Sequence, residues 1–403
     1  MKKKIFGLIV LALLLRLVLL FLVDNVWWDG AVYISMGKYI FSLGKLGLWE
    51  HIRPLVLPLI LGLFWKIGLS PLFWGKLFEI GCSMIIIYLT YKITKRDYNE
   101  KSALYAATIL AFTPVFFSFA FRIYTEIPST MFALLALNYR QKIKTGVFSA
   151  LAFLTKFPQG IVLVVVSAFN IKKIKKIILG FSLTVLPYLL FNYLYYTNPL
   201  KPFIDGKEII KHAGIWIFAK PWWFYFVESL RQNVLYIFAV AGLLALKGKR
   251  KDVAALLMLF FAYFSLLQHK EPRFMIIFLP YLAIMAGVGL DKLFKRKNIF
   301  FFVLLISLII LAVNFSGFDD MYKGREQFFN YLDGKQVNGP ILVSHPYIAL
   351  HANNVSLPMY FMVYDENLAQ YWIDYIKQNS SNVSYIFFDT CEGGTICPEN
   401  DEK

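Results

Sequence analysis

Residues 1–23, MKKKIFGLIVLALLLRLVLLFLV, decide how the rest of the chain is read. Three lysines precede an apolar run whose only charge is Arg16. A helix needs roughly 20 residues to cross the hydrocarbon of a bilayer, and this run supplies that length. It is longer than the apolar part of a signal peptide, and no small-residue cleavage site follows it. The stretch is therefore expected to be a first membrane span, with Lys2 to Lys4 on the cytoplasmic side.

Composition extends that reading to the whole chain. Of 403 residues, 58% are hydrophobic and 39 are Phe, and the mean hydropathy is +0.58. Soluble domains do not have this composition. The net charge of +17 would suggest nucleic acid in a soluble protein. Here the Lys and Arg residues gather in short clusters between apolar runs, at 92–101, 140–144, 172–176, 247–252 and 295–297. Such clusters mark cytoplasmic loops, and nucleic-acid binding is set aside.

Any two cytoplasmic clusters must be separated by an even number of crossings. Two apolar runs, 54–68 and 71–91, lie between Arg53 and Lys92. The first is short and broken by Pro58, so it is expected to be interfacial or re-entrant, and 72–93 to be the second span. Further spans follow at 102–121, 125–139, 177–195, 231–246, 253–268, 274–291 and 298–315, with a long outer loop at 196–229. The run 148–169 has Lys clusters on both sides and must be a hairpin, broken at TKFPQG (155–160). The total is about eleven crossings, which leaves the C-terminus outside.

Residues 316–403 are more polar. Short strand-like runs, GPILVSH and VSYIFFD, flank the amphipathic stretch ENLAQYWIDYIKQ. The expected fold is an α-helical polytopic membrane protein with a small C-terminal α/β extracytoplasmic domain. The domains are then 1–315 and 316–403. All four Asn-x-Ser/Thr sequons, at Asn314, Asn354, Asn379 and Asn382, fall in or beside the second. Cys391 and Cys397 lie there too, as a local disulfide or as two free thiols.

The cytoplasmic loops are short and merely basic, whereas the outer ones carry chemistry. Asp29, Glu50, His51 and Arg53 lie in the first, and Arg122 and Glu126 in the second. The sequence HKEPRF (269–274) is the last, with His269, Lys270, Glu271 and Arg273. Each has a plainer reading. Asp29 is otherwise a solvated loop residue, but Trp27, Trp28 and Tyr33 make its segment interfacial, and a partly desolvated carboxylate suits a base. Glu126 is otherwise a carboxylate at a helix N-terminus. Lys156, at the break of the hairpin, is otherwise a snorkelling cation. HKEPRF is otherwise charge at a span boundary, although four ionisable residues in five argue for function.

These residues resemble a known superfamily. WWDGAVYISMGKYI (27–40) after a first span looks like the acidic first-loop motif of the GT-C membrane glycosyltransferases. RIYTEIPS (122–129) and LAFLTKFPQG (151–160) look like landmarks of the branch that includes protein mannosyltransferases and aminoarabinose transferases. HKEPRF is similar to a signature of dolichyl-phosphate-mannose-dependent mannosyltransferases. Together they cover roughly residues 1–315. The first-loop motif often carries Asp-Glu, and here Gly30 follows Asp29. No cofactor is assigned, no metal ligand is named, and the sequence lends a divalent metal no support.

The chemistry can be read separately. The chain has no Gly-rich phosphate loop and no Asp-x-Asp of a nucleotide-sugar enzyme. A polyprenyl- or dolichyl-phosphate sugar carries its own leaving group, so one carboxylate acting on an acceptor hydroxyl suffices, unlike the pair needed for glycoside hydrolysis. Direct displacement inverts the anomeric centre. Asp29 is assigned as the base, with Lys270, Arg273 and then Arg53 on the donor phosphate. Glu126, His269, Glu271 and Tyr33 hold sugar or acceptor or support the cations, and Lys156 lines a lipid groove. The acceptor is a glycan, a lipid or a protein, and mannose is suggested by the resemblance alone. Of the alternatives, a lipid or glycolipid transporter should show repeated halves and midplane charge, which are not seen. A non-catalytic membrane assembly subunit is the other.

Overall fold

The structure is a computed structural model that describes residues 2–22, 26–139, 142–213, 218–246, 251–294, 299–315, 330–332, 335, 337–360, 366–379 and 381–387. Cys391 and Cys397 lie outside these residues. Contacts divide the chain into two compact units. One comprises Met1–Asp24, Lys76–Pro199 and Phe218–Asp319, and the other comprises Asn25–Gly75, Leu200–Ile217 and Asp320–Lys403. The second unit therefore gathers the segment expected as the first outer loop and part of the 196–229 segment with the C-terminal residues. A boundary drawn at residue 315 leaves those pieces out.

The first unit is helical. In chain order it contains α1 (Lys2–Leu20), most of α4 (Pro71–Asp97), α5 (Glu100–Ala111), α6 (Pro114–Phe119), α7 (Glu126–Tyr139), α8 (Ile143–Thr155), α9 (Gly160–Ala168) and α10 (Ile174–Tyr196). Then come α12 (Phe224–Gln232), α13 (Ala239–Leu244), α14 (Lys251–Leu266), α15 (Leu279–Leu293) and α16 (Phe300–Asn314). Among the described residues, α4 and the stretch 171–196 that ends in α10 are long and apolar enough to cross a membrane. Leu183, Leu186, Leu190 and Leu194 of α10 are each more than half exposed. In water that surface would be costly, and it suits a lipid solvent.

Prolines break several expected spans. Residues 102–121 divide into α5 and α6 at Pro114, which opens α6 where its missing N–H costs nothing. The 274–291 span begins as a 3-10 turn over Pro272–Ile277 before α15 starts beside Pro280. The break expected at TKFPQG is present, with Lys156 extended between α8 and a 3-10 turn over Phe157–Gln159. Helices α8 and α10 approach backbone to backbone. A Cβ on Gly180 would run into the carbonyl of Ile143, and one on Gly146 into that of Ile177.

The second unit contains α2 (Trp28–Phe41), α3 (Val56–Lys66) and α11 (Lys201–Ala213). The 196–229 segment was expected as a loop but contains α11 and the start of α12; their amphipathic pattern makes short surface helices. A four-stranded parallel sheet has the order β1-β3-β2-β4, formed by Gly47–Leu48, Val355–Pro358, Ile341–Val343 and Tyr385–Phe387. Among the described residues, the four-residue helix α17 (Ile348–His351) and the longer α18 (Glu366–Asn379) accompany it. β2 is buried along its whole length, as an inner parallel strand should be. The strands β2 and β4 fall in the two runs read as strand-like, and α18 in the amphipathic stretch. Val32 and Met36 of α2 are buried with Leu48 and Ala349. Helices α2 and α3 meet at two glycines, where a Cβ on Gly37 would lie 2.6 Å from the nitrogen of Gly62.

Candidate active site

Among the described residues each unit holds a buried cluster of charge. In the second unit, Trp27 is extended and α2 starts at Trp28, which puts Asp29 in the first helical turn, where free N–H groups favour an anion. Asp29 is 8% exposed. Arg53 Nη1 lies 2.9 Å from Asp29 Oδ1, and Arg53 Nε donates to Glu50 Oε2 at 2.8 Å. Tyr33, one turn along α2, lies beneath the guanidinium at 5.5 Å. Glu50 is 2% exposed, and its other oxygen, Oε1, accepts from the Tyr360 hydroxyl. Burial pushes the Glu50 carboxyl up, and Arg53 works against that push. Trp28 meets the His345 ring edge-on at 4.6 Å and the Tyr360 ring at 4.9 Å.

Beside this cluster His51 Nε2 lies 2.6 Å from Asp205 Oδ2, and Lys201 Nζ lies 2.8 Å from the same oxygen. Burial works to raise the Asp205 carboxyl, but Lys201 and His51 outweigh it and hold it below the usual range. Lys38 Nζ donates to the carbonyl of Leu350 at 2.6 Å.

In the first unit the cluster is built on Glu126, at the N-terminus of α7 and fully buried. Lys156 Nζ lies 2.8 Å from Glu126 Oε1 and Arg273 Nε lies 3.8 Å from the same atom. Glu126 Oε2 has no hydrogen-bond partner among the described residues. Arg273 Nη2 donates to Glu271 Oε1 at 2.7 Å, and His269 Nε2 lies 2.7 Å from that oxygen. Burial alone would raise the Glu271 carboxyl, but Arg273 and His269 prevail and bring it down to about 2. The aromatic walls are Tyr124, 4.6 Å from the Arg273 guanidinium, and Phe274, 5.0 Å from Lys156 Nζ. His269 stacks on Phe218 at 4.4 Å, and the Tyr225 hydroxyl donates to the Glu271 carbonyl.

The structure thus brings Asp29, Arg53 and Tyr33 together in one cluster, and Glu126, Lys156, His269, Glu271 and Arg273 together in the other. Lys270 stands apart from its neighbours: its ammonium turns back onto the carbonyl of Leu267, and its N–H donates to Phe218. Lys156, read as a groove residue, is the counter-ion of Glu126. Two functional candidates were missed. Glu79 is fully buried in α4, and its Oε1 accepts from the N–H of Tyr124 at 3.2 Å, holding the segment that carries Glu126. Its signal was a lone carboxylate inside an apolar run. Tyr360 had no local signal.

Comparison with known proteins places this fold. A family model described as dolichyl-phosphate-mannose-protein mannosyltransferase matches residues 52–196. ArnT from Cupriavidus metallidurans bound to undecaprenyl phosphate is similar at a TM-score of 0.65 and 13% identity, covering 94% of this chain and 95% of that one. The same protein in its apo state gives 0.67 and 13%, over 94% and 89%. The Archaeoglobus fulgidus oligosaccharyltransferase, tethered to an acceptor peptide containing an NVT sequon, gives 0.61 and 13%, over 96% and 69%. No curated protein sequence matches the chain significantly. The resemblance to GT-C membrane glycosyltransferases read from the sequence holds, and the chain has their fold.

Proposed function

From that shared fold we propose that the chain is an inverting glycosyltransferase. It moves a sugar from a polyprenyl-phosphate carrier to an acceptor hydroxyl at the outer face of a membrane crossed about eleven times. The observation that supports this best is Asp29, a carboxylate at the head of α2 held by Arg53 and largely removed from water. The acceptor oxygen attacks the anomeric carbon, and its proton passes to Asp29. The bond from that carbon to the phosphate oxygen breaks, and its electron pair leaves with the polyprenyl phosphate. No protein acid is required, because the phosphate is already a competent leaving group.

The charge growing on the phosphate has to be met by cations fixed in advance. Arg273 is the first candidate, since Glu271 and Tyr124 hold its planar fork and two aromatic faces flank it. Lys156 is the second. The surroundings of Lys270 support it less than its sequence position did. Arg53, engaged by two carboxylates, acts first on Asp29 and then on the donor. Glu126, fully buried, fixes Lys156 through its Oε1. Mannose is the first sugar to test, on the strength of the sequence resemblance.

The test uses membranes containing wild type or Asp29→Asn, incubated with labelled polyprenyl-phosphate sugars that include the mannosyl and aminoarabinosyl forms. Wild type should label an acceptor with at least one donor, and the variant should not. Equal transfer by the variant removes Asp29 as base, and no transfer by wild type from any donor removes the enzyme reading.

A further inference from the structure

We infer that Tyr360, from the C-terminal segment, is a positioning residue for the proposed transfer, setting the orientation of Asp29 through Glu50 and Arg53. This rests on the reading of Asp29 as the base. It gives the C-terminal segment, whose role neither the family match nor the compared structures assign, a part in the reaction.

Glu50 is the starting point. A carboxylate buried to 2% exposure is costly unless both oxygens are served. Arg53 Nε serves one and the Tyr360 hydroxyl the other. A guanidinium is planar and rigid, so fixing Nε fixes the direction of Nη1, the atom that reaches Asp29 Oδ1 at 2.9 Å. Tyr33 lies under the plane at 5.5 Å and packs against that face. Tyr360 therefore governs where Arg53 points, and Arg53 governs where Asp29 points. The same ring also meets Trp28, the neighbour of Asp29 in sequence. Two paths lead from one tyrosine to one carboxylate.

The backbone explains why the contact is reproducible. Strands β1 and β3 pair in parallel with Leu48 opposite Ser356. Glu50 lies two residues beyond Leu48 and Tyr360 two beyond Pro358, the end of β3. Parallel strands deliver both side chains from the same end of the sheet, and a slip of one residue would send them to opposite faces.

The chemistry gives a direction. Two carboxylates share one guanidinium. Among the described residues the titratable and charged groups around them include Arg53 and Glu50 from the first loop, Tyr33 from α2, and Tyr360 and His345 from the C-terminal segment, with His51, Asp205 and Lys201 beside the cluster. Without the Tyr360 hydroxyl, Glu50 loses a donor to its charged form and takes up a proton more readily. Arg53 then serves Asp29 alone, which makes Asp29 a weaker base and leaves it less well aimed.

The experiment compares wild type, Tyr360→Phe and Glu50→Gln in membranes, with transfer measured against donor concentration and pH. Tyr360→Phe should lower kcat roughly tenfold to a hundredfold, leave the donor KM within about twofold, and move the acid limb of kcat to lower pH. Glu50→Gln, which keeps the shape and removes the charge, should move the limb the same way and serves if Tyr360→Phe does not fold. A wild type that transfers alongside a Tyr360→Phe with unchanged kcat and pH profile overturns the inference and leaves the function standing. A variant that is merely less stable, with normal kcat per folded molecule, overturns it too. A wild type without transfer removes the function, and the inference with it.

Discussion

Arg273 and Lys270 are three residues apart in one short motif, and their surroundings predict opposite outcomes. Arg273 is held by Glu271 and faces Tyr124, whereas Lys270 is folded back on Leu267. Arg273→Ala should reduce transfer from a polyprenyl-phosphate donor by roughly a hundredfold. Lys270→Ala should retain most of it. Initial rates at matched expression check this, and the reverse order would return the phosphate role to Lys270. Glu271 adds a pH prediction. Despite its burial, Arg273 and His269 bring its carboxyl down to about 2 when folded, against 4.5 for an ordinary glutamate. The unfolded chain therefore binds more protons between those values, so the stability that the carboxylate contributes is full above about pH 4.5 and fades as pH falls through 4.5 towards 2. Melting temperatures in detergent should fall over that window in wild type and less steeply in Glu271→Gln. Residues such as Glu126, Lys156 and Arg273 could be picked from the sequence because charge beside apolar runs is rare. Tyr360 could not, being one of 24 tyrosines whose role depends on a strand register formed across 300 residues of chain.

At the scale of elements, hydropathy gave the helices, and proline gave some of their breaks. TKFPQG could be read as a break because Lys and Gln interrupt the apolar run beside the proline. Pro114 has only Thr113 beside it in a run without charge, so the turn between α5 and α6 left little trace in polarity. The strand β1 is two residues long, too short for any periodicity, and exists because β3 lies alongside it. Close helix contacts were equally invisible, since a glycine in an apolar run reads the same whether it faces lipid or another helix. The structure separates the two cases. Gly146 is pressed against the backbone of α10, while a Cβ on Gly7 meets nothing within 4 Å. Gly146→Ala should therefore destabilise the protein by about 1–3 kcal/mol, and Gly7→Ala should be neutral or slightly stabilising through helix propensity. Melting in one detergent compares them directly. Equal melting temperatures would mean that α8 and α10 do not pack in this register.

At the scale of the whole molecule the proposed topology depends on parity. If the basic clusters mark the cytoplasm, an odd number of crossings would carry residues 316–403 to the other side. The helices of the first unit do not by themselves supply that count, because most are shorter than a bilayer is thick and several expected spans are assembled from two pieces. The charge pattern therefore makes the stronger prediction. In a background with Cys82, Cys391 and Cys397 replaced by serine, single cysteines are placed at Lys335 and Lys207, expected outside, and at Lys95 and Lys173, expected inside. A membrane-impermeant maleimide on intact cells should label the first two. It should reach the last two only after permeabilisation. Labelling at Lys335 carries most weight, since a single extra or missing crossing anywhere upstream reverses it. If Lys335 is protected and Lys95 exposed, the chain is inverted, and Asp29 cannot meet a donor presented at the outer face. If Lys335 is protected while Lys95 stays inside, the count between them is even, and the Asp29 loop and the C-terminal segment lie on opposite sides. The hydrogen bond from Tyr360 to Glu50 would then be impossible, so one labelling experiment tests the topology and the link between the first loop and the C-terminal segment together.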